Sequence, residues 1–201
     1  MRTNVWRVVL VVFFTAVLTA CGSSGLSSEG NDVSGEDWLI EDFTYINQDE
    51  ESFGLSDLKD EVWLADFIFT HCTTVCIPMS ANMVKIQGML AEEGLDVPIV
   101  SFTVDPERDT PEVLQDYAEE YGADTASWHF LTGYSFDEIK SLSETSFKSP
   151  VEEPVEGDDQ FMHAVWFYLM QGDKIIKMYN GFSETPFDAI VQDAKVLSEE
   201  N

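Results

Sequence analysis

Two cysteines lie four positions apart in the stretch FTHCTTVCIPMS, which spans residues 69–80. Cys72 and Cys76 follow a β-rich run and precede a helical pattern, which predicts a turn at the start of a helix. Residues four apart on a helical turn share one face, which brings the sulfurs together. Unpaired N–H groups at a helix start favour thiolates, soft ligands that suit Cu(I) and zinc. The spacing therefore predicts a disulfide or two-point coordination of one metal ion.

The chain has three histidines that could supply a further ligand. His71 is adjacent to Cys72 and points away from it if the segment is extended there. His129 alternates with two aromatic residues in SWHFLTG, which indicates an exposed or locally hydrogen-bonded side chain. His163 follows the acidic segment SPVEEPVEGDD at the start of a strand, and functional residues collect at strand ends in open α/β folds. We favour His163 as the third ligand, and the alternative is a surface histidine.

The elements that must position these residues alternate between strands and helices. Nearly unbroken apolar runs at 62–70 and 97–104 predict strands that are buried on both faces. The runs 164–170 and 174–179 flank the turn QGD and predict a β-hairpin, and WHFLTG predicts a short edge strand. Helices are predicted in PMSANMVKIQGMLAEEG, DTPEVLQDYAEEYG, SFDEIKSLSETSF and TPFDAIVQDAKVLSE. The fold class is therefore α/β, a mixed sheet flanked by helices, with a small N-terminal hairpin at FTYINQDEES.

The N-terminus has the pattern of a secretory signal. Arg2 and Arg7 precede VVLVVFFTAVL, an apolar run that is too short to span a bilayer, which needs about 20 residues. The following sequence LTAC resembles a bacterial lipobox, which predicts that residues 1–20 are a lipoprotein signal peptide. Cys21 is then the lipidated first residue of the mature chain. The alternative is an uncleaved anchor with an incidental cysteine.

The composition after Cys21 predicts a tether and one folded domain. The Gly/Ser-rich stretch up to residue 36 predicts a flexible tether over 21–36, and the domain is expected at 37–201. With Cys21 bound to lipid, the remaining two cysteines form a pair outside the cytosol, where it can be oxidised. The chain carries 38 Asp and Glu against 10 Lys and Arg, a formal net charge of −28, which excludes ordinary nucleic-acid binding.

The motifs resemble those of the SCO/SenC family of membrane-tethered, thioredoxin-like copper-binding proteins that assist cytochrome c oxidase assembly. The resemblance covers about residues 40–198 and is carried by DFIFTHCTTVCIPMSANM, SFTVDPERDTPEVLQDYA, WHFLTG and the histidine of DDQFMHAVWFYLM. It implies a thioredoxin-like fold in which Cys72, Cys76 and His163 bind one copper ion, as Cu(I) or Cu(II). It also implies that Asp105 and Asp109 of the VDPERD turn support the site.

The resemblance implies a partner and a location as well. The partner is the binuclear copper centre of cytochrome c oxidase subunit II, reached from the extracytoplasmic face of the bacterial membrane, and other copper carriers or thiol reductants are further candidates. Copper donation and dithiol reduction of that centre both stay open. An extracytoplasmic thiol-disulfide oxidoreductase or a thiol peroxidase is the alternative function, and His163 would then be expendable. A structural zinc site is weaker, because only three ligands are in view and structural zinc takes four.

Overall fold

A computed structural model of the chain describes residues 25–200. The predicted signal peptide and the predicted lipidation site Cys21 therefore lie outside the described residues. Within this range, no helix has both the length and the apolar character that a membrane crossing requires.

A six-stranded mixed sheet forms the centre of the fold. One half of the sheet is parallel and consists of β4 (Val62–Ile68), β5 (Ile99–Thr103) and β6 (Trp128–Leu131), and the strands on the other side of β4 are antiparallel. Strand β6 lies at one edge, as predicted for WHFLTG, and a separate two-stranded hairpin confirms the predicted N-terminal hairpin. The sheet order is β1 (Asn31–Asp32), β8 (Lys174–Asn180), β7 (Trp166–Gln171), β4 (Val62–Ile68), β5 (Ile99–Thr103) and β6 (Trp128–Leu131); the hairpin strands are β2 (Thr44–Ile46) and β3 (Ser52–Gly54).

Among residues 25–200, four α-helices cover the two faces of this sheet. They are α1 (Cys76–Glu92), α2 (Pro111–Tyr121), α3 (Phe136–Thr145) and α4 (Phe187–Glu200). Side chains of α1, α2 and α4 share one apolar cluster, whereas α3 packs into a second cluster with the segment before β4. The α/β fold class predicted from the sequence is confirmed, with helix and strand bounds that differ by a few residues.

Strand β4 carries the chain to the cysteine turn, and all seven of its residues are buried. Its side chains alternate between the two apolar clusters, because successive side chains of a strand point to opposite faces. Trp63 and Phe67 join the cluster on the α3 side, and Leu64 and Ile68 join the other. The strand was predicted over 62–70 but ends at Ile68, which leaves Phe69 and the following residues free to turn.

The segment predicted to be a flexible tether is partly folded onto the domain. Residues 31 and 32 form β1 and pair with β8, and further upstream Ser27 contacts a buried ion pair. The carbonyl oxygen of Ser27 accepts a hydrogen bond from Lys177 at 2.6 Å, and its hydroxyl donates to Asp193 at 2.8 Å. The prediction of flexibility over 21–36 is therefore wrong for the stretch from Ser27 to Asp32. A Gly/Ser-rich composition did not reveal these long-range contacts.

Candidate metal centre

The VDPERD turn after β5 fixes the residue that leads into the cysteine turn. Buried Asp109 accepts hydrogen bonds from the Thr70 backbone N–H at 3.1 Å and from the Thr70 hydroxyl at 2.6 Å. The oxygen that accepts from the Thr70 N–H also accepts a hydrogen bond from the hydroxyl of Thr103 at the end of β5. Asp109 therefore ties the ends of two parallel strands together and supports the cysteine turn, without contacting either sulfur itself.

Cys72 and Cys76 meet through the first backbone amide of α1. The Cys76 N–H points at the Cys72 sulfur, with an N···Sγ distance of 3.4 Å. Both cysteines are free thiols and both are buried, with 7% and 1% of their surface exposed. The expected helical turn over 72–76 is replaced by bends, and the helix begins only at Cys76. The two cysteines nevertheless lie side by side, because the Cys76 amide at the helix start has no backbone acceptor within the helix and donates to the Cys72 sulfur.

His163 completes the cluster from 87 residues further along the chain. Its Nε2 lies 3.3 Å from the Cys76 sulfur, and its Nδ1 lies 2.9 Å from the Ala164 carbonyl oxygen. A carbonyl oxygen only accepts, so Nδ1 carries the proton and Nε2 carries the lone pair that is free to bind a metal. The ring edge also packs against Phe69, with centroids 5.8 Å apart. The backbone contact therefore orients the imidazole toward the cysteines.

The environment drives the two thiols toward opposite protonation states. A hydrogen bond from the Cys76 thiol lowers the pKa of Cys72 to about 3, with further help from the backbone N–H groups of Thr74 and Cys76 and against the effect of burial. The same hydrogen bond, together with burial, raises the pKa of Cys76 well above its ordinary value. At neutral pH the pair therefore holds one thiolate, on Cys72, and one proton, on Cys76.

A buried carboxyl group lies in β4 beneath this site. Asp66 accepts a hydrogen bond from Ser101 at 2.5 Å through one oxygen, and its other oxygen has no partner among the described residues. Burial raises the pKa of Asp66 to about 7, although the Ser101 bond and nearby His163 oppose the rise. Asp66 was not among the residues predicted for the site. The available signal was an acid in the middle of the buried run VWLADFIFT.

The other predicted residues lie around the site rather than in it. Asp105 is buried and pairs with Arg108 in the same turn. His71 is exposed, and its Nε2 is 3.6 Å from a carboxylate oxygen of Asp159. His129 is half-buried, stacks on Phe53 with ring centroids 3.9 Å apart, and leaves Nδ1 without a hydrogen bond among the described residues. Its interpretation as exposed or locally hydrogen-bonded is therefore wrong, since β3 covers it.

The donor chemistry of the cluster suits a soft metal ion. Within residues 25–200, no three His, Cys, Asp or Glu side chains already stand in a metal-binding arrangement. The donors are instead bonded to one another, because the Cys76 proton lies between two sulfurs and an imidazole. A metal ion that displaces this proton would find two thiolates and one neutral imidazole nitrogen. That set suits copper in either oxidation state.

The profile of the SCO1/SenC family matches residues 31–198. The chain belongs to this family. A solved SCO1/SenC family lipoprotein from Bacillus anthracis is 47% identical and covers 81% of this chain and 96% of its own, with a TM-score of 0.78. A structure of BsSco, described as having a disulfide switch and as a member of the Sco family of cytochrome c oxidase assembly proteins, is 44% identical and covers 87% and 100%, with a TM-score of 0.77. Arabidopsis thaliana ScoI with copper bound is 26% identical and covers 80% and 99%, with a TM-score of 0.66.

Proposed function

We propose that this SCO1/SenC protein binds one copper ion through Cys72, Cys76 and His163 and serves assembly of the binuclear copper centre in cytochrome c oxidase subunit II. The observation that carries the proposal is the contact between Cys76 and His163, which joins a thiol and a free imidazole lone pair across 87 residues. Family membership supports it, since a relative has been solved with copper bound and another is described as a cytochrome c oxidase assembly protein.

The three side chains have different tasks in holding copper as cargo. Cys72 is already a thiolate and offers the first ligand, whereas Cys76 must release its proton before it can bind. The Nε2 atom of His163 lies beside that proton and accepts it or, once the proton has gone to solvent, serves as the third ligand. Two thiolates suffice for Cu(I), and the imidazole adds the donor that Cu(II) requires.

The proposal places the domain at the outer face of the bacterial membrane, held by lipid on Cys21. The LTAC sequence supports this, and the relative from B. anthracis is described as a lipoprotein. An anchor raises the effective concentration of the protein near a membrane-bound acceptor. A Cys21→Ser variant should lose the lipid mass in mass spectrometry and leave the membrane fraction. Wild-type protein without lipid mass would overturn the anchor while leaving the copper site untouched.

The cellular test compares two kinds of terminal oxidase. Deletion of the gene should lower cytochrome c oxidase activity and leave a quinol oxidase that lacks the binuclear copper centre unchanged, and added copper should partly restore the loss. Complementation with Cys72→Ser should fail, whereas Cys21→Ser should retain part of the function. Equal loss of both oxidases would reject a role specific to the copper centre.

A dithiol oxidoreductase is the second candidate, favoured by the thiolate on Cys72 next to a protonated thiol. In that reaction the Cys72 thiolate attacks an acceptor disulfide, and Cys76 then resolves the mixed disulfide. The Cys72 thiolate and the Cys76 thiol together lose two electrons and one proton and become a disulfide, while the acceptor disulfide gains the two electrons, the Cys76 proton and one proton from solvent and becomes a dithiol. Turnover of a disulfide substrate by metal-free protein, unaffected by His163→Ala, would favour this function over copper transfer.

A further inference from the structure

The segment that precedes His163 contacts the rest of the domain through three successive residues, 159, 160 and 161. Five acidic residues and no basic residue lie between 149 and 163, so mutual repulsion alone would push this segment away from the rest of an acidic domain. Its contacts with the domain therefore decide whether His163 stays over the sulfurs.

Arg108 connects this segment to the VDPERD turn. Its Nε donates to the buried carboxylate of Asp105, and its Nη2 donates to the Asp159 backbone carbonyl oxygen at 2.9 Å. The Asp159 carboxylate is also 3.9 Å from Nη1. One planar guanidinium thus binds the buried Asp105 carboxylate with one nitrogen and the Asp159 carbonyl oxygen of the acidic segment with another, a geometry that a lysine ammonium does not reproduce.

The next two residues, Gln160 and Phe161, contact the cysteine turn and the residue that precedes it. The Gln160 side-chain oxygen accepts from the Thr73 N–H at 3.2 Å, and its amide nitrogen donates to the His71 carbonyl oxygen at 3.1 Å. The Phe161 ring packs against Phe69 with centroids 5.6 Å apart, and Phe69 in turn packs against the His163 ring. The Arg108 guanidinium lies over the Phe161 ring, 5.9 Å from its centroid.

We infer that Arg108 is a positioning residue for His163, which acts by holding Asp159–Phe161 against the VDPERD turn and thereby sets the third ligand over the cysteine pair. Arg108 touches neither sulfur nor imidazole, so its effect on copper must pass through His163. The inference rests on the proposed copper site. It gives Arg108 a stronger effect on Cu(II), which uses the imidazole, than on Cu(I), which two sulfurs can hold.

The first experiment needs no metal. Hydrogen exchange of the full chain in detergent, followed by mass spectrometry, should show about tenfold faster exchange over residues 159–163 in Arg108→Ala, because a charge-assisted hydrogen bond holds a segment closed by about that factor. Arg108→Lys should fall between, since lysine keeps the charge but reaches only one partner. Lys195→Ala is the matched control, because it also removes one cation from an ion pair, with Glu93, at a separate surface. Unchanged exchange in Arg108→Ala would overturn the inference.

The second experiment titrates Cu(II) and Cu(I) into the same variants. Arg108→Ala should lose about tenfold in Cu(II) affinity and less than threefold in Cu(I) affinity, and Lys195→Ala should change neither. The double variant Arg108→Ala/His163→Ala should bind Cu(II) no more weakly than His163→Ala alone, because both changes remove the same ligand. Additive losses, or equal losses in Arg108→Ala and Lys195→Ala, would overturn the inference. Failure of the wild type to bind copper would instead reject the proposed function, and the exchange experiment would still decide the role of Arg108.

Discussion

Two of the polar clusters that are buried among residues 25–200 are built in opposite ways. In the cluster around Lys177 and Asp193, the ammonium donates to Asp193 at 2.6 Å and to both oxygens of Ser27, and Tyr179 donates to Asp193 at 2.6 Å. Each proton of the Lys177 ammonium thus has an acceptor. In the cluster of Cys72, Cys76 and His163, by contrast, weak contacts to sulfur share one proton among three groups.

The difference separates a structural use of buried charge from a chemical one. Burial raises the pKa of Asp193, but the hydrogen bonds from Lys177, Ser27 and Tyr179 outweigh burial and hold that pKa below its ordinary range. Its charge state is therefore fixed, and the cluster locks the N-terminal segment, β8 and α4 together. The cysteine cluster keeps one thiolate and one displaceable proton, which is the condition for exchanging a proton for a metal ion or for a disulfide.

The largest expected effect concerns the Lys177–Asp193 cluster. Asp193→Asn leaves the buried Lys177 ammonium without its counter-charge and should lower the free energy of unfolding by about 3–5 kcal/mol, measured by urea denaturation. The double variant Lys177→Met/Asp193→Leu removes both charges and should recover most of that loss. A cost below about 1 kcal/mol for Asp193→Asn would break the comparison, because the cluster would then not be a structural lock.

The next effect concerns the cluster of Cys72, Cys76 and His163. Cys72→Ser replaces a soft thiolate by a neutral hydroxyl and should weaken copper binding by at least about a hundredfold, since even changes beyond the ligands cost 10- to 100-fold. The free energy of unfolding should change little, in contrast to Asp193→Asn. Cys21→Ser is the matched control, because it makes the same substitution away from the site. Copper titration with both variants checks the prediction, and equal affinities would refute it.

A smaller effect is expected from Asp66, a buried carboxyl group with one oxygen that has no hydrogen-bond partner among residues 25–200. The pKa of Asp66 rises from the ordinary value of 3.8 to about 7 on folding, so the folded state binds the proton more tightly than the unfolded state. The contribution of Asp66 to stability is therefore full below about pH 4, declines as pH rises to about 7 and stays lost above it.

The substitution Asp66→Asn removes this titration. Between pH 5 and pH 8 the wild type should lose about 2 kcal/mol of unfolding free energy that Asp66→Asn does not lose. Urea denaturation at both pH values gives the comparison. Asp116→Asn, which removes an exposed carboxylate on α2, should keep the wild-type dependence. Parallel pH profiles for wild type and Asp66→Asn would contradict the prediction.

The smallest effect sharpens the division of labour inside the cysteine cluster. His163→Ala should lower Cu(II) affinity by about tenfold and Cu(I) affinity by less than threefold, because two thiolates hold Cu(I) without the imidazole. His129→Ala removes an imidazole that stacks on Phe53, so it should cost about 1 kcal/mol of stability and leave copper binding unchanged. The same Cu(II) spectrum in His163→Ala and wild type would exclude the imidazole as a ligand.

The sequence-based predictions succeeded where a pattern is local. Alternation and helical spacing predicted the order of the elements, the buried strand before the cysteines and the hairpin that follows His163, because neighbouring residues report periodicity directly. The predictions failed where composition was used alone. Ser27 lies in a Gly/Ser-rich stretch, yet it docks on Lys177 and Asp193, which are more than 140 residues away.

By itself the sequence determined the types and spacing of the donors: two thiols at the start of a helix and a histidine at a strand start, with a turn of acids between the second strand and helix. The tertiary structure alone decided which thiol keeps the proton, which histidine nitrogen is free, and that buried Asp66 has one oxygen without a partner in the described part of the chain. The physical reason is that protonation and burial depend on groups that lie far apart in the sequence and meet only in the folded chain, such as Cys76 and His163, which are 87 residues apart. Residue types can be read one at a time, whereas the electrostatic state of a residue belongs to its surroundings.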